Sequence, residues 1–174
     1  MIKVLSFGAG VQSTALLLMS CKGILPKLDY AVFADVGWEP QKVYDHLEWC
    51  KVEAAKHGIP VHTVRASKGG LRQDVIDNIT LEDGSGFTAM PVFTIGTSGT
   101  TGMGRRQCTN EYKIQPVQKF LRREVLGLKH RQRAPKEAKI EQWMGISFDE
   151  ATRAKPSRDK WMINVFPFLS WGCD

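Results

Sequence analysis

Ser6-Phe7-Gly8-Ala9-Gly10-Val11-Gln12-Ser13-Thr14 lies between the apolar run Ile2-Lys3-Val4-Leu5 and the apolar stretch Ala15 to Met19. A glycine- and hydroxyl-rich segment between a strand pattern and a helix pattern predicts a tight turn opening onto a helix N-terminus. Such a turn suits an anion. Gly8 and Gly10 let the backbone approach it closely, the first helical turn offers unpaired N–H groups at a positive dipole end, and Ser6, Ser13 and Thr14 add hydroxyl donors. The expected chemistry is phosphate binding, weighed against a glycine-rich turn that binds nothing.

Three loops fit parts of this segment. A Walker-type loop needs a lysine before its terminal Ser or Thr to reach the outer phosphates; Gln12-Ser13 has none, which excludes it. A dinucleotide fingerprint matches at Gly8 and Gly10 but puts Ser13 where a third glycine would permit close helix packing, although Asp35 would suit a ribose hydroxyl. The third, flanked by serines and free of lysine, resembles the pyrophosphate-binding PP-loop of ATP pyrophosphatases and phosphoadenylylsulfate (PAPS) reductases, in the variant Ser-Phe-Gly-Ala-Gly-x-Gln-Ser-Thr.

The 174 residues, 43% of them hydrophobic, suffice for one domain with a core that needs no disulfide or metal. Cys21, Cys50, Cys108 and Cys173 are scattered without a Cys-x-x-Cys pair, which argues against a metal site within one segment. Met1 leads directly into a strand and no apolar run is long enough to span a bilayer, so a soluble, cytoplasmic protein without a membrane partner is expected. A formal charge of +6 and a pI near 9.2 favour a polyanionic partner, be it nucleotide, nucleic acid or solvent counterions. Much of the excess lies between Lys119 and Lys139, where Arg122, Arg123, Lys129, Arg131, Arg133 and Lys136 surround His130. This reads as a solvated helix end and loop or as a nucleic-acid patch. No aromatics interleave with the charges, so no stacking platform for single strands is indicated.

Along the chain, strands are expected at Lys3–Phe7, Tyr30–Ala34, Val61–Val64, Ile140–Ile146 and Met162–Phe168, and helices at Ser13–Lys22, Gln41–Lys56 and from a start near Asn110 to Gln115, with Pro116 in the first turn, to about Leu126. Pro40 and Gly58 bracket the second helix. Residues 78–104, rich in Gly, Ser and Thr, read as a loop or lid, or as disorder. Ser147 and Glu150 have capping-box spacing. Strands alternating with helices predict an α/β fold, a doubly wound, mainly parallel sheet with helices on both faces, in which ligands bind at the carboxyl ends of strands.

The segments that follow strands carry the chemistry. Asp35-Val36-Gly37-Trp38-Glu39-Pro40 offers a carboxylate for ribose, adenine or a metal, or merely a turn cap. Arg105-Arg106-Gln107-Cys108-Thr109-Asn110-Glu111-Tyr112-Lys113 places Arg106 and Lys113 where both could face an anion, and Cys108 beside cations that would lower its pKa if it is exposed. Gly145-Ile146-Ser147-Phe148-Asp149-Glu150-Ala151-Thr152-Arg153 and Pro167-Phe168-Leu169-Ser170-Trp171 complete the set.

In this order the segments resemble the PAPS reductase and adenine-nucleotide alpha-hydrolase-like family, from Ile2 to Trp171. The resemblance implies a five-stranded sheet of the HUP-type, Rossmann-like kind binding ATP or a PAPS-like adenine nucleotide, with Mg2+ assisting. It places Ser6, Phe7, Gly8, Ala9, Gly10, Gln12, Ser13 and Thr14 at the phosphates, Ala34 and Asp35 at the adenosine, and Gly145 beside the nucleotide. Arg106, Lys113 and Arg153 correspond to the family's anion- and substrate-binding cations. The implied activity is cleavage of the α–β phosphate bond to activate an acceptor, for sulfur or nitrogen transfer to a nucleobase or nucleic acid, with a sulfur-donor protein or a second copy of the chain as further partners.

Two departures limit this. The reductases' terminal Glu-Cys-Gly-x-His segment is absent, and Gln107-Cys108-Thr109 supplies only one of the paired cysteines that hold an iron–sulfur cluster, so no cluster is expected. A sulfonucleotide reductase-like enzyme and a nucleotide-binding regulator without turnover are the alternatives, and a truncated or minimal family member is compatible with the pattern.

Overall fold

The computed structural model describes residues 1–66, 70–76, 93–95, 99, 101–103 and 109–170. Strands β1 (Ile2–Phe7), β2 (Tyr30–Asp35) and β3 (Val61–Arg65) alternate with helices α1 (Val11–Cys21) and α2 (Gln41–Lys56). Helix α3 (Leu71–Ile76) and the short strands β4 (Phe93–Ile95) and β5 (Thr101–Met103) follow. A helical segment runs from Thr109 to Val125, then come β6 (Ile140–Trp143), a 3-10 turn (Phe148–Arg153), β7 (Met162–Val165) and α5 (Pro167–Ser170).

The main sheet is five-stranded and parallel, in the order β3-β2-β1-β6-β7. It is the doubly wound, Rossmann-like α/β arrangement that the alternation predicts. Central parallel strands are covered on both faces, and β2 accordingly buries Ala31, Val32 and Phe33 in succession. The chain builds outward from β1 to β3 and returns on the other side of β1, so β1 and β6 pair from Ile2 with Ile140 to Leu5 with Trp143. That reversal of strand order is where such sheets open a crevice.

Two compact units divide the chain. One comprises Met1–Phe33, Pro40–Thr63 and the chain from Leu121 on. Its core holds Leu5, Phe7, Leu16, Leu17, Phe33 and Trp143, with the Phe7 and Phe33 rings edge to face at 6.4 Å. Buried Ser20 is satisfied locally: its hydroxyl donates to the Pro26 carbonyl at 3.1 Å and accepts from the Leu28 N–H at 2.9 Å. The other unit comprises Ala34–Glu39 and Val64–Phe120, and among its described residues Val36, Asp74, Tyr112 and Val117 are buried.

Several expectations need correction. Within 78–104, Phe93–Ile95 and Thr101–Met103 form an antiparallel two-stranded ladder rather than featureless loop; three residues are too few to display a strand period. The rest of that stretch lies largely outside the described residues. Helix α1 starts at Val11, two residues ahead of the predicted Ser13, because Gly10 is its cap. Strand β6 stops at Trp143, and the last extended segment stops at Val165, with Pro167 opening α5. Pro116 falls in the first turn of the α-helical stretch that opens at Gln115, as expected, within a helical segment that begins earlier, at Thr109. Its first stretch, Thr109–Ile114, has wide π-type turns, α4 (Gln115–Phe120) follows, and the wide turns return over Leu121–Val125, ending with Leu126 N–H on the Leu121 carbonyl at 2.9 Å. Proline lacks the N–H that the carbonyl four residues back requires, and a widened turn ahead of it accommodates that loss. Among the described residues no helix is long and apolar enough to cross a membrane.

Candidate functional site

Strand β1 ends with Ser6 and buried Phe7, and Gly8-Ala9-Gly10 turns the chain into α1. Ala9 takes the left-handed backbone, φ 53°, while Gly10 caps the helix in extended conformation. No side chain caps this N-terminus and no acid stands in its first turn. By helix geometry the N–H groups of Val11, Gln12 and Ser13 have no partner within α1, and Thr14 N–H makes the first bond, to the Gly10 carbonyl at 2.9 Å. Among the described residues, nothing lies within 4 Å of a Cβ built on Gly8 or Gly10.

Two of the three hydroxyls expected to serve a phosphate are occupied inside the protein. Ser13 Oγ donates to the Gly10 carbonyl at 3.2 Å, and Thr14 Oγ1 shares a hydrogen bond with His46 Nε2 at 3.0 Å. His46 also lies 3.5 Å from Cys50 Sγ and stacks on Trp49, ring centroids 5.6 Å apart. Backbone N–H groups are therefore the readier donors of this loop.

Gly145, just past β6, supplies the close packing that the dinucleotide fingerprint seeks in a third glycine of the loop. A Cβ there would come within 2.9 Å of Gln12 C, Gln12 Cβ and Ser13 N. The contact lets Gln12 Nε2 donate to Ser147 Oγ at 2.6 Å and to Glu150 Oε2 at 3.4 Å. Glu150 Oε1 in turn holds Arg153, and Ser147 donates to Asp149. The expected short helix follows Ser147, but the capping-box bonds do not form, because the Ser147 hydroxyl is engaged by Gln12 and Asp149.

In the second unit, buried Asp35 accepts from Gly37 N–H at 2.7 Å through Oδ1 and from Arg65 Nε at 2.7 Å through Oδ2, with Arg65 Nη2 forming the ion pair. It caps its own turn and binds a mostly exposed arginine; Ala34 beside it is half-buried. Gly37 and Gly70 both have positive φ and pass so closely that a Cβ on Gly37 would lie 3.6 Å from Gly70 Cα. Lys113 Nζ stands 3.6 Å from Glu39 Oε1, and Tyr112 hydroxyl donates to buried Asp74. Trp38 is 47% exposed.

Of the predicted cations, Lys113 and Arg153 each pair with a carboxylate of their own unit, while Arg106 and Cys108 lie outside the described residues. Cys50 is buried and Cys21 half-buried, as their helical positions predict. Burial pushes both thiols up, aided at Cys21 by the charge of Glu53, and opposed at Cys50 by a hydrogen bond from Thr14. Both should therefore resist alkylation in the folded protein and react only on denaturation; rapid native-state labelling of Cys50, read by mass spectrometry, would contradict its packing. Sequence reasoning missed His46, Arg65 and the Gln12–Ser147 link. Arg65 showed there only as the start of a basic, glycine-containing turn after the third strand, and His46 only by standing one turn before core-facing Cys50.

The fold and this turn define an open parallel α/β protein with an anion-compatible strand-to-helix loop at its strand-order reversal. No protein-family model and no curated protein matches the chain.

Proposed function

We propose that the chain is a PP-loop enzyme, of the PAPS reductase and adenine-nucleotide alpha-hydrolase-like kind, that binds ATP or a related adenine nucleotide and cleaves its α–β phosphate bond to activate an acceptor. The observation that carries this reading is the uncapped N-terminus of α1, opening behind Gly8 and Gly10 with no described residue within 4 Å of a Cβ on either, beside the β1–β6 reversal. In the proposed reaction an acceptor nucleophile bonds to the α-phosphorus and pyrophosphate departs with the bridging oxygen.

The N–H groups of Val11, Gln12 and Ser13 would hold phosphate oxygens, with Gln12 kept in place by Ser147. Asp35 would shape the adenosine side through its turn and Arg65 rather than by direct contact. Arg153 in the first unit and Lys113 in the second each sit in a partly exposed ion pair worth roughly 0–1 kcal/mol, weak enough to be exchanged for an anion. Arg106 would add a bidentate cation and Cys108 a thiolate. Rate acceleration would come from donors fixed before the charge develops. Among the described residues no three His, Cys, Asp or Glu side chains cluster as metal ligands, so magnesium would be carried on the nucleotide phosphates.

Incubation with ATP labelled at the α-phosphate, with and without cell extract or nucleic acid as the source of acceptor, tests the reading: pyrophosphate is expected as the acceptor is adenylated, and labelled AMP as a second nucleophile displaces it. Sulfite with adenosine bisphosphate from PAPS supplied with a dithiol reductant would mark a sulfonucleotide reductase, and binding without product under all these conditions a regulator. Gly10→Val places an isopropyl group where no described residue lies within 4 Å of the Cβ, at an extended φ of −88° that valine tolerates. It should weaken ATP binding at least about tenfold, the equivalent of one charge-assisted hydrogen bond, with little change in melting temperature. Wild-type affinity in the folded variant would remove the loop from the proposal.

A further inference from the structure

We propose that the turn Lys129–Arg133, with Arg123 and Lys136 beside it, is a docking surface for the phosphate backbone of a duplex nucleic acid. This goes beyond the nucleotide site and does not depend on it. Seven cations and two acids lie between Leu121 and Lys139, so the segment carries a net +5 of the chain's +6. Lys129, His130, Arg131 and Arg133 are all exposed, and among the described residues none of Arg123, Lys129, Arg131, Arg133 and Lys136 has an ion-pair partner. Lys139, at the end of the segment, pairs with Glu137, and elsewhere in this unit Lys51 and Lys56 each have a partner.

The turn is built. Leu128 N–H bonds the Arg122 carbonyl at 2.9 Å, and Gln132 N–H bonds the Lys129 carbonyl at 3.1 Å. The Gln132 side chain accepts from Lys129 N–H at 2.8 Å, and Arg122 Nη2 clamps the Gln132 carbonyl at 2.8 Å. At its apex Arg131 adopts φ 62°, a left-handed backbone where glycine or asparagine would be less strained. A cation held at a strained position, among like charges that repel it, is explained if the side chain itself meets a polyanion. The segment contains no aromatic residue to stack on splayed bases, which favours duplex phosphates, contacted without base readout.

The test is fluorescence anisotropy of the full chain with a labelled DNA duplex and an RNA duplex of the same sequence, titrated across salt. Binding to at least one duplex is expected, its logarithm falling linearly with the logarithm of salt concentration. K129Q/R131G/R133Q should lower the steepness by about 2–3 and the low-salt affinity at least tenfold. K51Q/K56Q removes charge from ion-paired sites outside the segment and should leave the steepness unchanged. R131G alone should raise the melting temperature while lowering the steepness by about 1, a combination that a purely structural role for Arg131 does not produce. Equal loss of steepness per charge removed in K129Q/R131G/R133Q and K51Q/K56Q, undiminished binding in the folded R131G and K129Q/R131G/R133Q variants, or binding to phosphatidylserine vesicles but to neither duplex would overturn the proposal.

Discussion

Replacing Trp143 with alanine is expected to lower stability by about 3–5 kcal/mol, the range for truncating a large buried aromatic. Trp143 is wholly buried on β6, paired in register with Leu5 on one side and Val165 on the other, and belongs to the core of the first unit. Neighbours from both flanking strands cannot collapse into the void without breaking the ladder that holds them. At roughly 2–4 °C per kcal/mol for a chain of this size, the melting temperature should fall by about 6–20 °C. Trp143→Phe should recover much of the loss, because a phenyl ring refills most of the buried apolar volume that alanine leaves empty. Trp49→Ala, at a half-exposed site, serves as the control. Guanidinium denaturation showing equal, small losses at Trp143 and Trp49 would contradict the packing of β6.

Gly145→Ala should destabilise the protein by about 1–3 kcal/mol, although it adds a single methyl group. Two of the three atoms that would lie 2.9 Å from the new Cβ, Gln12 C and Ser13 N, are backbone and cannot rotate aside. The first turn of α1 must move away from the end of β6, and the 2.6 Å bond from Gln12 to Ser147 loosens with it. Nucleotide affinity should therefore fall together with stability, whereas Gly10→Val should lower affinity alone. Unchanged denaturation midpoints for Gly145→Ala would mean that α1 and β6 approach less closely than described.

The alternation of elements was readable because long, periodic or bracketed segments announce themselves. Helix α2 was bounded by Pro40, its N-cap, and by Gly58, which takes positive φ just past the C-cap, and Leu47, Cys50 and Ala54 face the core as their spacing predicts. Strand β2 could be seen from its unbroken apolar run. Strands β4 and β5 could not, since three residues carry no period. Nor could the wide turns flanking α4, because the 3.6-residue pattern over Thr109–Val125 does not distinguish i→i+4 from i→i+5 bonding. At the site, the loop was visible as local composition, but its supports are long-range. Gly145 against Gln12, His46 against Thr14 and Arg65 against Asp35 join residues whose separation leaves no mark in either partner's neighbourhood.

The position of β1 in the sheet has a consequence for how the chain comes to be folded during synthesis. Strand β1 is synthesised before β2 to β7, yet one of its two partners, β6, is made only after Arg133. Until then β1 presents an open edge, and the turn at Gly8–Gly10 lacks the Gly145 and Ser147 contacts that brace it. Pairing Ile2 with Ile140 closes a very long loop, a slow step by topology, so nascent chains and fragments ending before β6 should be prone to edge-to-edge association.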